Sequence, residues 1–133
     1  MAPWQAVAGA TLLIPSGPRG ENHLHVVVND PKALPGYGAR PCVVLVNLTT
    51  VRDGAELDDT CILEAGCHPF VKQASFILYR LARIEPRAHV DQLVKQGFFK
   101  PQQPLDAVLL AKIKAGLKTS SFTKREIKQL DLS

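Results

Sequence analysis

The sequence is poor in cysteine, in tryptophan and in long apolar runs, and each shortage closes a class of protein. There are three cysteines, one tryptophan and one methionine in 133 residues. A small, odd number of cysteines argues against a disulfide framework and for a reducing, cytoplasmic setting. No apolar run approaches the roughly 20 residues of a membrane-spanning helix, so no membrane partner is expected. The opening "MAPWQAVAGATLLIPSG" has an apolar centre but no basic flank, and it reads as a first strand rather than a secretion signal. Zinc spacing is missing too. In "DTCILEAGCHPF" Cys61 and Cys67 stand six apart across an expected turn, and Cys67 and His68 are adjacent. A closed zinc site wants paired ligands about two to four residues apart, and adjacent residues of an extended chain point oppositely. Neither metal nor cofactor is expected. Cysteines within or beside strands read as small core hydrophobes rather than thiol nucleophiles. Repeats and low-complexity segments are absent as well.

What is present changes character along the chain. The first 83 residues hold seven Lys/Arg and seven Asp/Glu, whereas residues 84–133 hold nine and five, so the net charge of +4 lies in the last third. A basic segment suits nucleic acid or an acidic protein partner, or a solvated helical face. The first two-thirds alternates short β-branched runs with turn clusters: "GATLLI" (9–14), "HLHVVVND" (23–30), "CVVLVNLTTV" (42–51), "TCILEAG" (60–66) and "FVKQASFILYRLARI" (70–84). "PKALPGYGARP" (31–41) reads as a long loop, because proline and glycine interrupt it throughout. The run 42–51 is almost continuously apolar, as a strand buried on both faces requires.

Beyond Pro86 the period becomes helical. "PRAHVDQLVKQG" (86–97) places Val90, Leu93 and Val94 on one stripe and Gly97 where a terminating glycine belongs. "PLDAVLLAKIKAGLK" (104–118) aligns Leu105, Val108, Leu109, Ile113 and Leu117. "TKREIKQLDL" (123–132) opens on a Thr123…Glu126 capping pattern, with Ile127 and Leu130 as its apolar handholds. The expectation is one domain over residues 1–133, mainly β (α+β). Residues 9–84 would form a small SH3-like barrel, or a strongly curved antiparallel sheet of about five strands. Residues 86–130 would be helical and pack on it.

A polar set punctuates the apolar strands: His23, His25, Thr50, His68, Ser75, Tyr79 and Arg80. The order of pieces around it is a strand opening on Gly9, a β-branched second strand, a third strand ending "VNLTT", then "CIL", a long final strand, and "QLVKQG…LDAVLLAKIKAGL". That order resembles the PemK/MazF/Kid-type toxins over residues 9–118. The resemblance implies an SH3-like barrel with C-terminal helices and a homodimer countered by an antitoxin protein. It also implies metal-independent cleavage of single-stranded RNA.

Such cleavage needs an acid–base group for the 2′-hydroxyl and the 5′-oxygen, and a cation for the pentacoordinate phosphorus. By residue chemistry His68 is the acid–base candidate and Arg80 the cation. Thr50 and Ser75 would hold the phosphate, and Tyr79 or His23 would stack on a base. Two other classes compete: a non-catalytic barrel of the same type that binds a protein partner, and a DNA-binding helix-turn-helix within 104–130, with Gly116 near its turn.

Overall fold

A computed structural model describes residues 3–16 and 18–133 of the chain. Its centre is the run "PCVVLVNLTT", which forms the long strand β4 (Pro41–Thr50). β-Branched residues fill its middle, and a pleated strand sends them alternately to opposite faces. Cys42, Val44, Val46 and Leu48 enter one apolar core with Ile113, Leu117, Ile127 and Leu130. Val43 and Leu45 enter a second core with Leu12, Ile14, Val27, Val90 and Phe99. Each fully buried valine or leucine contributes about 1.5–3 kcal/mol over an exposed one, so a strand buried on both faces dominates the packing.

Both edges of β4 are also occupied, each by two strands in succession. On one edge β2 (Asn22–Val27) pairs from Val27↔Leu45 to His25↔Asn47, and β3 (Lys32–Ala33) pairs at Lys32↔Cys42. Asn29 bridges the handover between them. Its buried amide accepts from Val44 N–H at 2.8 Å and donates to Cys42 O at 3.3 Å and Asp30 O at 2.8 Å. That side chain supplies the ladder bonds that the departing backbone leaves unmade. On the other edge β7 (Arg83–Pro86) covers Cys42 to Leu45, and β6 (Ser75–Ile77) covers Leu48 to Thr50. β1 (Thr11–Pro15) extends the sheet beyond β2, and β5 (Ile62–Leu63) extends it beyond β6.

Of the two expected forms, barrel or antiparallel sheet, the barrel does not form. The ladder runs β5-β6-β4-β2-β1-β8, with β8 (Lys100–Gln102) as its last strand and β3 and β7 also paired to β4, and among the described residues these eight antiparallel strands make an open sheet. The mainly β class stands. β8 falls between the first two expected helices, in a segment read as largely helical, and it carries Pro101 opposite Leu12. Proline inside a strand argues against strand in a sequence, yet an edge position tolerates its missing N–H. The stretch 70–84 is likewise not one strand. A 3-10 turn (Tyr79–Leu81) separates β6 from β7 and drives Tyr79 into the core.

The helices α1 (Arg87–Lys95) and α2 (Ala107–Thr119) cover opposite faces of the sheet, with Val90 in one core and Ile113 and Leu117 in the other. α1 ends on Gln96 and on Gly97 at φ 78°, a left-handed turn that glycine adopts freely. α2 starts on Asp106, whose carboxylate accepts from Leu109 N–H at 2.8 Å. Val108 departs from the expected stripe and is exposed.

The expected terminal helix shrinks to α3 (Arg125–Lys128), with Lys124 at its N-cap and no capping side chain. Thr123 therefore makes no capping box, and its hydroxyl is buried without a partner among the described residues. Ile127, Leu130 and Leu132 hold the tail by packing into the core. Gly116 lies inside α2 rather than at a turn, which removes the helix-turn-helix reading.

Gly116 has a different purpose. Tyr79 Oη donates to Ile113 O at 2.8 Å, and a Cβ added at Gly116 would stand 2.7 Å from Tyr79 Cζ. Helix propensity alone makes Gly→Ala worth about 1 kcal/mol of stabilisation. Overpacking costs about 1–3 kcal/mol, and the ring cannot yield because it is fully buried. Gly116→Ala is therefore expected to lower the urea midpoint, and Tyr79→Phe in the same chain to restore part of it. A stabilised Gly116→Ala protein would contradict this packing.

Candidate functional site: a cleft where two strands part

The β2–β4 ladder stops at His25↔Asn47, while β4 runs on to Thr50 beside β6. Asn22–Leu24 and Leu48–Thr50 thus flank a gap, and a cleft of about 460 Å³ opens there. Ladder bonds fall on alternate residues. Val28 N–H bonds Val44 O across this edge, so Asn22 and Thr50 are the positions whose backbone groups turn toward the gap. The loop after β4 supplies Arg52, Ala55 and Glu56 to the cleft, and residues 70–73 before β6 supply Phe70, Val71, Lys72 and Gln73.

Three of the expected substrate-binding residues meet in this cleft: His23, Thr50 and Ser75. Thr50 and Ser75 are cross-strand neighbours, and Thr49 opposes Phe76 one position earlier. Ser75 is buried and its hydroxyl donates to Gln73 O at 3.0 Å. His23 is half-buried, with Nδ1 2.7 Å from Ser16 Oγ. The charges of the lining cancel, Arg52 and Lys72 against Glu21 and Glu56, and from outside it Arg80 Nε donates to Glu56 Oε1 at 2.6 Å. That hydrogen bond holds the Glu56 carboxyl below its ordinary range, and backbone N–H donors of the turn do the same for Glu21.

The remaining assignments are corrected. Tyr79 is fully buried against α2, so its ring is not a stacking surface. Burial is also the first reason its hydroxyl is pushed up in pKa. Arg80 does not line the cleft; it reaches the site only through Glu56. His68 is 3 % exposed and does not line this cleft; it stands behind a neighbouring hollow. Its Nδ1 accepts from Phe70 N–H at 3.0 Å, which places the ring proton on Nε2, and Nε2–H donates to Gln103 O at 2.6 Å. Thr11 Oγ1 donates to the same carbonyl at 2.6 Å. His68 therefore ties the 64–73 loop to the far end of the sheet. In "DTCILEAGCHPF" Cys61 is a free, buried thiol in the core, as is Cys42 on β4, and Cys67 is half-buried.

Another anchor fixes the opposite wall. Asp58 is buried and accepts from Thr60 N–H at 3.0 Å, Thr60 Oγ1 at 2.6 Å and Ser120 Oγ at 2.6 Å. Burial alone would raise its pKa; these bonds more than offset that and hold it below its ordinary value. His25, beside the cleft at the last paired position of β2, shows the contrary case. Burial pushes its imidazole down to about 4, against a raising effect from its hydrogen bond to His23 O at 2.9 Å.

Among the described residues no group of three or more His, Cys, Asp or Glu side chains is placed to hold a metal. No described helix is long and apolar enough to cross a membrane. No family model, curated protein or solved structure matches the chain. Sequence reasoning missed Arg52, Phe70, Lys72 and Glu56. Arg52 had a signal, since it follows the Thr49-Thr50 strand end by two residues. The others sit on irregular segments where sequence carries no period.

Two outcomes follow from these bonds. His68→Ala is expected to destabilise the protein by about 2–3 kcal/mol, the scale for stranding buried hydrogen-bond partners. His23→Ala should change stability by less than about 1 kcal/mol, because its ring is half-solvated. Denaturant titration of both variants checks the contrast, and equal losses would contradict it.

For His25 the folded pKa lies below the ordinary 6.5, so the neutral ring stabilises the fold fully above that pH. The contribution falls as pH drops from 6.5 toward about 4, by on the order of 3 kcal/mol at ~1.36 kcal/mol per pH unit. His25→Leu should flatten the pH–stability curve in that window. An unchanged slope would contradict a neutral, buried His25.

Proposed function

We propose that the cleft binds single-stranded RNA and cleaves it without a metal, in the manner of the PemK/MazF/Kid-type toxins that the order of elements resembles. One observation carries this reading: His23, Thr50, Ser75 and Arg52 come from three separate segments and line one opening. In this reading His23 replaces His68 as the acid–base group, and Arg52 replaces Arg80 as the phosphate clamp. His23 takes the proton of the 2′-hydroxyl as its oxygen attacks phosphorus. Arg52 and the Thr50 hydroxyl stabilise the charge gathering on the equatorial oxygens. The bond to the 5′-oxygen breaks, and at this open mouth water supplies the leaving group's proton. Phe70, exposed on the rim, offers a face on which a base stacks. The same reading makes an antitoxin protein the cognate inhibitor, a homodimer the assembly and the cytoplasm the setting.

A second reading is favoured by the parted strand edges. Backbone groups of Asn22 and Thr50 face the gap, and an extended peptide bonds such edges by strand addition. On that reading the protein is a non-catalytic interaction module.

Cleavage in the presence of EDTA, leaving a 2′,3′-cyclic phosphate, is the expected outcome of the enzymatic reading. His23→Ala and Arg52→Ala should each slow it by about 10²-fold, the usual loss for an acid–base or charge-stabilising group. Melting temperatures should stay within a few degrees of the parent's, since Arg52 is exposed and His23 half-buried. A mixed RNA pool left intact by the parent protein, with tight binding to a partner protein, would establish the interaction module instead.

A further inference from the structure

Behind the wall formed by residues 70–73 lies a second hollow of about 640 Å³, floored by Ala65, Gly66, Cys67, Pro69 and the buried His68 and closed by Gln103. Val71 and Lys72 line this hollow and the cleft alike. The two openings are therefore neighbours across a single ridge of backbone, with the Lys72 side chain exposed on top.

The ridge is held firmly. Phe70 N–H bonds His68 Nδ1 at 3.0 Å, Val71 N–H bonds His68 O at 2.9 Å, and Gly66 N–H bonds Val71 O at 2.8 Å. The buried His68 ring is itself fastened to Gln103 O. Loops built this way keep their shape when a ligand arrives, so the ligand gains contacts without the cost of ordering the loop.

We propose that a bound polynucleotide crosses this ridge: one nucleotide occupies the cleft, the next lies in the second hollow, and Lys72 contacts the phosphate joining them. The inference rests on the RNA reading of the cleft and extends it to a footprint longer than the cleft alone. The lining of the second hollow holds one cation, Lys72, and no carboxylate. Farther out, Glu64 and Asp106 act on the Cys67 thiol, and Lys112 opposes them. The ridge-top ammonium is thus the anion contact common to both openings. A flexible lysine suits a phosphate whose position shifts with the base beside it. The floor offers small, neutral side chains, which accept a sugar and base of any identity. Sequence preference is therefore expected from the cleft, and affinity from the ridge and the hollow behind it.

The test uses the full chain and 2′-O-methyl uridylates, a mononucleotide and a hexanucleotide, which bind without being cut. The parent protein should bind the hexanucleotide at least tenfold more tightly than the mononucleotide, which occupies the cleft alone. Lys72→Ala should weaken the hexanucleotide about tenfold and reduce the slope of log affinity against log salt by about 0.7, the value of one single-strand phosphate contact. Ala65→Trp is the independent arm. Ala65 is exposed on a turn, so the indole fills the hollow without disturbing the core. It should bring the hexanucleotide close to the mononucleotide's affinity and leave the mononucleotide unchanged. Hexanucleotide binding untouched by Ala65→Trp, or an unaltered salt slope in Lys72→Ala, overturns the path across the ridge while leaving the cleft reading intact. Failure of the parent protein to bind either ligand overturns both.

Discussion

One strand, buried on both faces and paired along both edges, is the constraint on which this molecule depends. β4 gives Val44 and Val46 to one core and Val43 and Leu45 to the other, and four strands share its edges. A strand so enclosed has no freedom of register, because a slip of one residue would exchange its two faces. Between Cys42 and Asn47 both of its edges are bonded, which explains why Asn29 is buried where β2 leaves and β3 begins. The helices follow from the same demand. α1 closes one apolar face and α2 the other, and Gly116 lets α2 approach the Tyr79 ring.

The cleft is the place where this enclosure lapses. β4 outlasts its ladder with β2 by three residues, from Leu48 to Thr50, and the parting strands expose polar side chains that the core excludes. Its walls are irregular loops, yet each is tied down. His68 holds the 70–73 wall, and Asp58 anchors the segment that follows Glu56 to Ser120. A site made of loops on two fixed anchors keeps its functional side chains in place without regular structure beneath them. That arrangement also accounts for the histidines. His68 is spent on architecture and His25 is neutral and buried, leaving His23 as the ring in the opening.

Much of the architecture was legible before any coordinates. The continuous apolar run 42–51 announced a doubly buried strand, the period change near Pro86 announced the helices, and Gly97 marked where the first of them stops. These are local signals, carried by residues whose neighbours in sequence are their neighbours in the element. β8 escaped because a proline disguised an edge strand, and Tyr79–Leu81 escaped because a turn inside an apolar run leaves no trace in hydropathy. The barrel expectation failed for a related reason. Closure is set by which end strands meet, and β5 and β8 carry no residue pattern that says whether they do.

The candidate site divides along the same line. Residue type alone nominated His23, His25 and His68, the hydroxyls at the end of the third strand and Arg80, since their chemistry does not depend on where they lie. Which of them share an opening is a matter of long-range pairing. Thr50 meets Ser75 through a ladder, and His23 joins them because two strands diverge. His68 and Tyr79 look as reactive as any residue in the chain until packing buries them, and burial is a property of the whole fold. Sequence thus supplied the elements and the chemical vocabulary. The distribution of that vocabulary between core and cleft came from contacts between residues far apart in the chain, which no local pattern encodes.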